Sequence, residues 1–287
     1  MKLGLSLPVF TEDVRRPLAA AERAAAAGYD GVFAPDHLFP PGRSSGPTLE
    51  PFGVLSAVAA EQRNLRVGTL VTRASIRPIG LLAKLGAALD HVAAGRAILG
   101  VGAGDSASKA EHDAFGFAFR SAGERVALME ETVAALRELF AGRPWAGGAH
   151  VPAMAGPLLP PGEPELWIGG RSDAVLAAAA RRGDAWNGWA MDADAFLAAA
   201  ATVRRLSDGR AVDVTWGGIV LVGADAADLD RLRADRERRG LPMDVWQGTA
   251  DDLRSFAARV EETGAAWFIP QPVGTGQRLE LVASVLA

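Results

Sequence analysis

An aspartate and a histidine stand next to each other at the end of an apolar stretch of the sequence. In GVFAPDHLFP, the residues from Val32 to Ala34 predict a buried strand, and Asp36 and His37 follow it. Histidine exchanges a proton near neutral pH, and a neighbouring acceptor fixes which ring nitrogen carries it. We therefore predict that His37 exchanges a proton with a bound molecule or hydrogen-bonds a bound ring. A loop-capping aspartate and a packed histidine are the structural alternative.

Glycines alternate through a second segment, ILGVGAGDSASKAEHDAFG. Gly100, Gly102 and Gly104 lack a Cβ atom and allow another group to approach the backbone, which suits a flat ring lying across strand ends. Asp105 and Glu111 are the acids available beside them. Tight packing of the glycines and solvation of the acids are the alternative, because a lone G-x-G-x-G pattern has low specificity.

The stretch ELWIGGRSDAVLAAAARRGDAW begins as an apolar strand and continues as a helix from about Asp173. Between the two elements lie Gly169, Gly170, Arg171 and Ser172. Free backbone N–H groups at a helix start, an arginine and a serine hydroxyl are suited to bind a phosphate. The alternative is that Ser172 only caps the helix and the glycines only form the turn. Such a turn does not require both glycines and an arginine, so we favour the phosphate site.

The remaining ionisable residues give weaker indications. Arg73 and Arg77, in VGTLVTRASIRP, are candidates to meet an acidic tail of a cofactor or substrate, with solvation at the surface as the alternative. His91 is expected to pack against or cap a helix, and His112 and His150 carry no indication of a function. Four histidines without helical ligand spacing and the absence of cysteine argue against a zinc or iron site and exclude disulfides and a thiol nucleophile.

The elements that position these residues alternate between short apolar runs and longer amphipathic segments. Several runs, such as AILGVG and LWIGG, are apolar throughout, which is typical of parallel strands covered on both faces. Eight strands alternating with helices predict a (β/α)8 TIM barrel, with an open doubly wound sheet as the structural alternative. The predicted strands are residues 2–9, 29–35, 65–72, 97–102, 166–169, 185–189, 213–222 and 265–270.

Two helices have predicted ends. GERVALMEETVAALRELFAG repeats apolar residues at three- and four-residue steps and ends at Gly142, whereas GTADDLRSFAARVEETGA begins at an N-cap, Thr249, and ends at Gly264. We expect residues 1–287 to form a single barrel domain with insertions at about 105–121 and 142–165. The first insertion follows a strand, so it is predicted to lie on the face that carries catalytic residues in TIM barrels.

The composition narrows the classes of partner. Hydrophobic residues make up 49% of the chain, charged residues 22%, and the net charge is −4, so we expect no bulk attraction to nucleic acid or to an acidic membrane. No run reaches the roughly 18 apolar residues of a membrane span. The start, MKLGLSLPVFTED, is too short in its apolar part for a secretory signal, and the cysteine-free sequence suits a reducing compartment. We expect a cytoplasmic protein.

An ordered set of segments resembles the luciferase-like monooxygenase superfamily over nearly the whole chain. This superfamily groups flavin-dependent monooxygenases with oxidoreductases that depend on the deazaflavin coenzyme F420. The resemblance rests on MKLGLSLPV, AAAAGYDGVFAPDHL, LRVGTLVT, LDHVAAGRAILGVGAG followed by EHDAFGFAF, and LWIGGRSDAVLAAAARRGDAW.

The resemblance implies a (β/α)8 barrel with the cofactor ring across the strand ends. By position, Asp36 and His37 match the acid-histidine pair that lines the ring. Leu70, Val71 and Thr72 match a bulge of the third strand, often with a non-prolyl cis peptide, that supports the ring. The glycines at 102 and 104 fall beside it. A homodimer is also implied.

The resemblance also implies a phosphate-binding turn from Gly169 to Ser172, with Gly170 and Arg171 between them. Asp105 and Glu111 match acids of the family and, with His37, are the predicted catalytic residues. The chain departs from the family pattern in a longer loop after Gly104 and in an aspartate where an aromatic residue is common. It also lacks the tryptophan and the lysines that the sugar-phosphate enzymes use, which argues against a sugar-phosphate substrate.

The leading functional prediction is a coenzyme F420-dependent oxidoreductase, in which a hydride moves between the ring and a small organic substrate while His37 or Asp105 handles a proton. One alternative is a two-component monooxygenase that uses reduced FMN supplied by a separate reductase. A non-catalytic flavin-binding protein is the other. An aldolase or isomerase would share the phosphate turn, but it would need a base or a strand-end lysine, and Lys2 instead begins a strand.

Overall fold

The computed structural model describes residues 1–275 and 277–286. In this part of the chain, strands β1 to β9 are Lys2–Ser6, Gly31–Ala34, Arg66–Arg73, Ala97–Gly102, Glu165–Gly169, Ala185–Trp189, Asp213–Gly223, Trp246–Thr249 and Trp267–Pro272. Helices α1 to α10 are Arg15–Ala26, Pro51–Glu61, Ile79–Val92, Lys109–Phe115, Ala122–Phe140, Asp173–Arg182, Ala193–Leu206, Ala226–Arg238, Ala250–Glu262 and Arg278–Leu286. A one-turn 3-10 helix, Ser106–Ser108, precedes α4.

Eight of these strands close into a barrel. Strands β1 to β7 pair in chain order, β7 pairs with β9, and β9 pairs with β1. Every pairing is parallel. The predicted TIM barrel is therefore confirmed, and the open sheet is excluded because β1 and β9 are hydrogen-bonded to each other.

Large apolar side chains fill the barrel interior. This inner cluster consists of Phe33, Leu70, Ile98, Trp167, Ala185, Trp267 and Ile269. The Phe33 ring lies among them, with its centroid 5.4 Å from those of Trp167 and Trp267. A separate, larger cluster joins the outer strand faces to the helices. Because the interior is a packed core and not a pore, a bound molecule has to lie at the strand ends.

The two helices with predicted ends form as expected. Thr249 caps α9, accepting a hydrogen bond from the Asp252 backbone at 3.3 Å while Asp252 Oδ2 accepts from the Thr249 backbone at 2.9 Å. The apolar stripe of α9 is buried against the barrel. Helix α5 starts with a similar box of Ser121 and Glu124, and Gly142, just beyond its end, takes a φ of +72°.

Between β7 and α9 the chain makes an excursion that the sequence did not predict. Strand β8 pairs with residues 220–223, the last part of β7, whereas the pairing of β6 with β7 ends at Gly217. Leu229 and Leu232 of α8 pack with Leu221 in a small separate cluster. The excursion formed by α8 and β8 therefore stands above the carboxyl ends of the barrel strands. The sequence pattern does not indicate β8, because this strand has only four residues, of which Gly248 alone is buried.

The two predicted insertions lie at different places. Residues 105–121 contain the 3-10 helix and α4 and follow the carboxyl end of β4. Residues 142–165 pack outside the barrel on α3 and α5. On α5, the Glu131 carboxylate accepts hydrogen bonds from the backbone N–H groups of residues 149–151 at 2.8 to 3.0 Å. On α3, the exposed His91 lies 2.5 Å from the Pro161 carbonyl oxygen through its Nε2 atom.

Candidate active site at the carboxyl ends of the strands

The residues singled out in the sequence gather on one rim of the barrel. The strands are parallel, so their carboxyl ends share one face. In the register of β3, β4 and β5, Arg73 is paired with Gly102, and Gly102 is paired with Gly169. Asp36 and His37 follow β2, the neighbour of β3. The predicted phosphate turn and the predicted catalytic histidine therefore lie on the same rim.

Asp36 is a structural anchor of this rim. Its side chain is 1% exposed and forms an ion pair with the guanidinium of Arg77. The Thr72 hydroxyl donates a hydrogen bond to Asp36 Oδ2 at 2.5 Å. Arg77 also donates to Glu50 Oε1 at 2.8 Å, and although burial opposes its charge, the two carboxylates raise the pKa of Arg77. Asp36 and Arg77 thus tie the loop after β2 to the loop after β3.

Glu111 of α4 holds the imidazole of His37. The distance from His37 Nδ1 to Glu111 Oε1 is 2.9 Å, and Glu111 Oε2 accepts from the backbone N–H of Leu38. With Nδ1–H donated to the carboxylate, Nε2 of His37 is the ring nitrogen left to exchange a proton. The side chain of His37 is 30% exposed, and within residues 1–275 and 277–286 its hydrogen-bond partner is Glu111 alone, through Nδ1.

A buried arginine completes the group. Arg73 Nη2 donates to Glu111 Oε2 at 2.7 Å, and the two side chains are only 4% and 5% exposed. Burial alone would raise the pKa of Glu111, but the hydrogen bonds from His37 and Leu38 and the charge of Arg73 outweigh it and lower this pKa to about 2. Glu111 is therefore a carboxylate over the whole physiological pH range.

Arg73 has unused hydrogen-bonding capacity. Its Nε and Nη1 atoms are buried and find no acceptor among residues 1–275 and 277–286. Buried donors without a partner cost free energy, so the ion pair with Glu111 is the interaction that holds this side chain in place. The sequence predicts for Arg73 either a contact with an acidic tail or solvation at the surface. It does not predict the pairing with Glu111, because the two residues are 38 positions apart in the sequence.

His112, which gave no sequence signal, fixes α4 from its other side. The residue is fully buried, its Nε2 atom lies 2.9 Å from the Ser75 hydroxyl, and its Nδ1 atom lies 2.9 Å from the Ser108 carbonyl oxygen. Glu111 and His112 thus bind the loops after β2 and β3, and they hold α4 across the rim. No motif pairs these residues in the sequence, because their partners come from other strands.

The third strand carries the irregularity that the family resemblance implies. The pairing of β3 with β4 shifts register between Thr69 and Thr72, and the peptide from Leu70 to Val71 is cis. The side chain of Val71 occupies the space beside three glycines. A Cβ atom would lie 3.1 Å from Val71 at position 100, 2.5 Å at position 102 and 2.7 Å at position 169. The room predicted for a ring at Gly102 is therefore taken by Val71.

The turn after β5 exposes Arg171 and Ser172, whereas the backbone N–H of Gly170 donates to the Asn187 carbonyl oxygen at 3.2 Å. Gly170 has a φ of +143°, a conformation that favours glycine, and its carbonyl oxygen accepts a hydrogen bond from Trp186 Nε1 at 2.8 Å. Arg171 and Ser172 are exposed. The Ser172 hydroxyl oxygen accepts from the Val175 backbone at 3.4 Å, so Ser172 is the N-cap of α6. This cap leaves the hydroxyl proton of Ser172 and the Arg171 guanidinium available to an anion.

Asp105 and Gly104 lie beside the group formed by His37, Glu111 and Arg73. The Asp105 carboxylate accepts from the Ser108 backbone and hydroxyl, both at 3.0 Å, and forms the capping box of the 3-10 helix. The residue is exposed, and its hydrogen bonds do not include His37. Gly104 has a φ of +70° and passes close to the Arg73 side chain.

Among the described residues no group of three or more histidine, aspartate or glutamate side chains is arranged to hold a metal ion. None of the helices in that part of the chain combines the length and the apolar composition that a bilayer crossing requires.

Comparison with known proteins identifies the family. Residues 1–280 match the family model described as luciferase-like monooxygenase. The F420-dependent glucose-6-phosphate dehydrogenase of Beutenbergia cavernae is 33% identical over 143 residues, which are 50% of this chain and 42% of that protein. The match thus spans less than half the length of that relative. The F420-dependent hydroxymycolic acid dehydrogenase of Mycobacterium tuberculosis is 28% identical over 263 residues, 86% of this chain and 68% of that protein.

A solved structure gives the same fold. An F420-dependent secondary alcohol dehydrogenase in complex with an F420-acetone adduct superposes with a TM-score of 0.84, at 16% identity and over 100% of this chain and 99% of that one. At this identity the likeness concerns the fold, and it agrees with the closed barrel described above. With a family model that covers nearly the whole sequence, the chain belongs to the luciferase-like monooxygenase family.

Proposed function

We propose that this protein is an oxidoreductase that uses coenzyme F420 and transfers a hydride between the deazaflavin ring and a small organic substrate. The observation that carries the proposal is the group of His37, Glu111 and Arg73, which presents one imidazole nitrogen at the barrel mouth. The names of the two curated relatives, both F420-dependent dehydrogenases, support the choice of cofactor. When bound, the deazaflavin would supply a hydride acceptor or donor, which no side chain can provide.

The residues on the rim fit a phosphorylated ring. In the turn of Gly169, Gly170, Arg171 and Ser172, the exposed Arg171 and Ser172 offer donors to a phosphate. In this proposal Leu70, Val71, Thr72, Gly102 and Gly104 form the support on which the ring rests, and Asp36 fixes the loops around it.

His37 is the proposed proton-transfer residue. Oxidation of an alcohol removes a hydride from carbon and a proton from the hydroxyl, so the enzyme needs a base at the oxygen. Nε2 of His37 serves as this base, while Glu111 fixes the tautomer and stabilises the imidazolium that forms. Asp105 remains a second candidate for proton handling, although its capping role keeps its carboxylate occupied.

We propose a hydroxyl-bearing or carbonyl-bearing substrate. Support comes from the relatives, one of which is named for glucose 6-phosphate and the other for hydroxymycolic acid. For the chain as a whole, we further propose a cytoplasmic homodimer. The exposed apolar residues Leu81 and Val92 on α3, at 51% and 44% exposure, are consistent with a self-association surface.

A reduced-FMN monooxygenase is the second candidate, since the family description itself names that activity. It would need a reductase to supply electrons and a cover over the mouth that excludes water. Helix α4, held across the rim by Glu111 and His112, is the element suited to such a cover.

Titration with the two cofactors tests the proposal. Purified protein is titrated separately with coenzyme F420 and with FMN, and ring fluorescence is followed. We expect tight, saturable binding of the deazaflavin and none of FMN. Binding of FMN alone would replace the proposal with the monooxygenase. Deazaflavin binding without redox change across a panel of alcohols and ketones would indicate a carrier protein.

Replacement of Arg171 by glutamine tests the phosphate turn. We expect the dissociation constant of the deazaflavin to rise about tenfold, because one charge-assisted hydrogen bond to the phosphate is lost. Turnover at saturating cofactor should change little. The matched control is Arg205→Gln, an exposed arginine on α7. An equal effect of both variants would contradict a phosphate contact at Arg171.

A further inference from the structure

A cavity of about 350 Å³ opens on the opposite side of the barrel from the phosphate turn. It lies between α1, the C-terminal end of α8 and the connection from β9 to α10, beside the carboxyl ends of β1 and β9. In the order of barrel strands, β1 is four positions away from β5. This cavity, called here the arginine cavity, is therefore separate from the turn that contains Arg171.

The lining of the arginine cavity is strongly cationic. Five arginines contribute to it, with no acidic residue in the lining: Arg16, Arg23, Arg236, Arg239 and Arg278. Two of them are neutralised from outside, because Glu280 binds Arg23 through two hydrogen bonds of 2.7 Å and Asp228 binds Arg278. The other three face the cavity without a comparable partner.

Arg236 is the most informative of these three. It is 8% exposed, and among the described residues its hydrogen-bond acceptor is the Pro242 carbonyl, which Nε reaches at 2.5 Å. Its two terminal guanidinium nitrogens have no hydrogen-bond acceptor among the described residues, and the side chain lines the cavity. Burial lowers the pKa of Arg236, and Arg239 lowers it further while Asp244 opposes the change. In the described part of the chain, this nearly buried cation thus has no ion pair of its own, and Asp244 acts on it only through its charge.

Arg239 and Arg16 add charge from two different helices. Arg239 lies 3.6 Å from Asp235, but that carboxylate is shared with Arg238 at 3.0 Å. Arg16, at the start of α1, is exposed and forms no ion pair within residues 1–275 and 277–286. Ser6, which also lines the cavity, is 2% exposed, and its hydroxyl is unpartnered in the described part of the chain.

We propose that the arginine cavity binds a multiply charged oxyanion of the phosphate class, such as a phosphate monoester. The positive charge of three guanidinium groups is larger than a ligand with a single carboxylate can neutralise. A phosphate dianion carries two negative charges and has enough acceptor oxygens to use the free N–H donors of these arginines. A bound dianion would also offset the repulsion between Arg236 and Arg239. The proposal does not depend on the proposed redox function, and its test measures binding alone.

Isothermal titration calorimetry with inorganic phosphate, at fixed ionic strength in a chloride buffer, tests whether the arginine cavity binds phosphate. We expect saturable binding, with acetate binding at least tenfold more weakly. The double variant Arg16→Gln/Arg239→Gln removes two exposed charges and leaves the buried Arg236 in place, so it should fold normally. Its dissociation constant for phosphate should rise about tenfold or more, as expected for the loss of charge-assisted hydrogen bonds.

Two controls locate the binding. Arg205→Gln removes the same charge from an exposed position of α7 outside the lining, and Arg171→Gln removes the cation of the other phosphate-binding candidate. Both should retain the phosphate affinity within about twofold, well below the tenfold loss that one hydrogen bond to a charged group gives. Absence of saturable binding, acetate binding as tight as phosphate, or an equal loss in either control would overturn the proposal.

Discussion

Replacement of Glu111 by glutamine is expected to lower the free energy of unfolding by about 3–5 kcal/mol, since it leaves a buried cation without its counter-ion. Arg73 is 4% exposed in its side chain, and its ion pair with Glu111 spans 2.7 Å. The same substitution removes the acceptor that fixes Nδ1–H of His37. Urea unfolding at pH 7 measures the loss. The matched control is Asp113→Asn, an exposed carboxylate of the same helix that pairs with Lys109.

The pH dependence of the same variants gives an independent test. In the folded protein the pKa of Glu111 is lowered from 4.5 to about 2. The stabilisation is therefore complete above pH 4.5 and is lost as the pH falls towards 2, and the difference amounts to ~3 kcal/mol. Glu111→Gln should lack this part of the acid-induced loss of stability. If it unfolds like the Asp113→Asn control at both pH 7 and pH 3.5, the ion pair has been assigned wrongly.

Replacement of His37 by alanine is expected to reduce turnover by about 10²–10⁴-fold, the range typical for loss of a general acid or base. The dissociation constant of the cofactor should change by less than about threefold, because the phosphate contact at Arg171 supplies the binding energy that the substitution leaves intact. Turnover is followed through ring absorbance with a panel of alcohols, and cofactor affinity through fluorescence. This pattern is the reverse of the one expected for Arg171→Gln.

His91→Ala serves as the control for His37. His91 is an exposed histidine of α3 that contacts Pro161 outside the barrel, so its loss should leave turnover unchanged. A variant His37→Ala that keeps full turnover but loses cofactor would move His37 from the proton-transfer role to a binding role. Loss of both properties together would point to a disturbed rim, which the Glu111→Gln stability data would reveal separately.

The strand pattern of this chain could be predicted because parallel barrel strands are apolar on both faces. All eight barrel strands were anticipated, and two of them, Ala97–Gly102 and Ala185–Trp189, have the predicted bounds. The sequence does not predict strand β8, because this strand lies above the rim, is mostly half-buried and therefore lacks an apolar run. Sequence periodicity reports burial, so it detects the elements that the core covers and misses those that it does not.

The candidate site was predictable as a list of residues but not as a network. The pair of Asp36 and His37 stood out, yet the two side chains have opposite surroundings: one is locked by Arg77, and the other faces the mouth. Glu111 lies 74 residues from His37 in sequence, and nothing local indicates that they meet. Asp105 matched an acid of the family by position, but its nearest hydrogen-bond donors come from Ser108, three residues away.

The fit of Val71 against Gly100, Gly102 and Gly169 has a consequence for attempts to redirect specificity. Even the smallest addition at position 102 would bring a carbon to 2.5 Å from the valine, and at position 100 to 2.3 Å from the Thr69 carbonyl oxygen. Side chains at the three glycine positions are therefore compatible with the fold only if Val71 and its surroundings change as well, and libraries aimed at one of these glycines alone should yield mainly destabilised protein. Engineering is better directed to the excursion above the rim, where α8 packs in a cluster separate from the barrel core and β8 pairs only with the last part of β7.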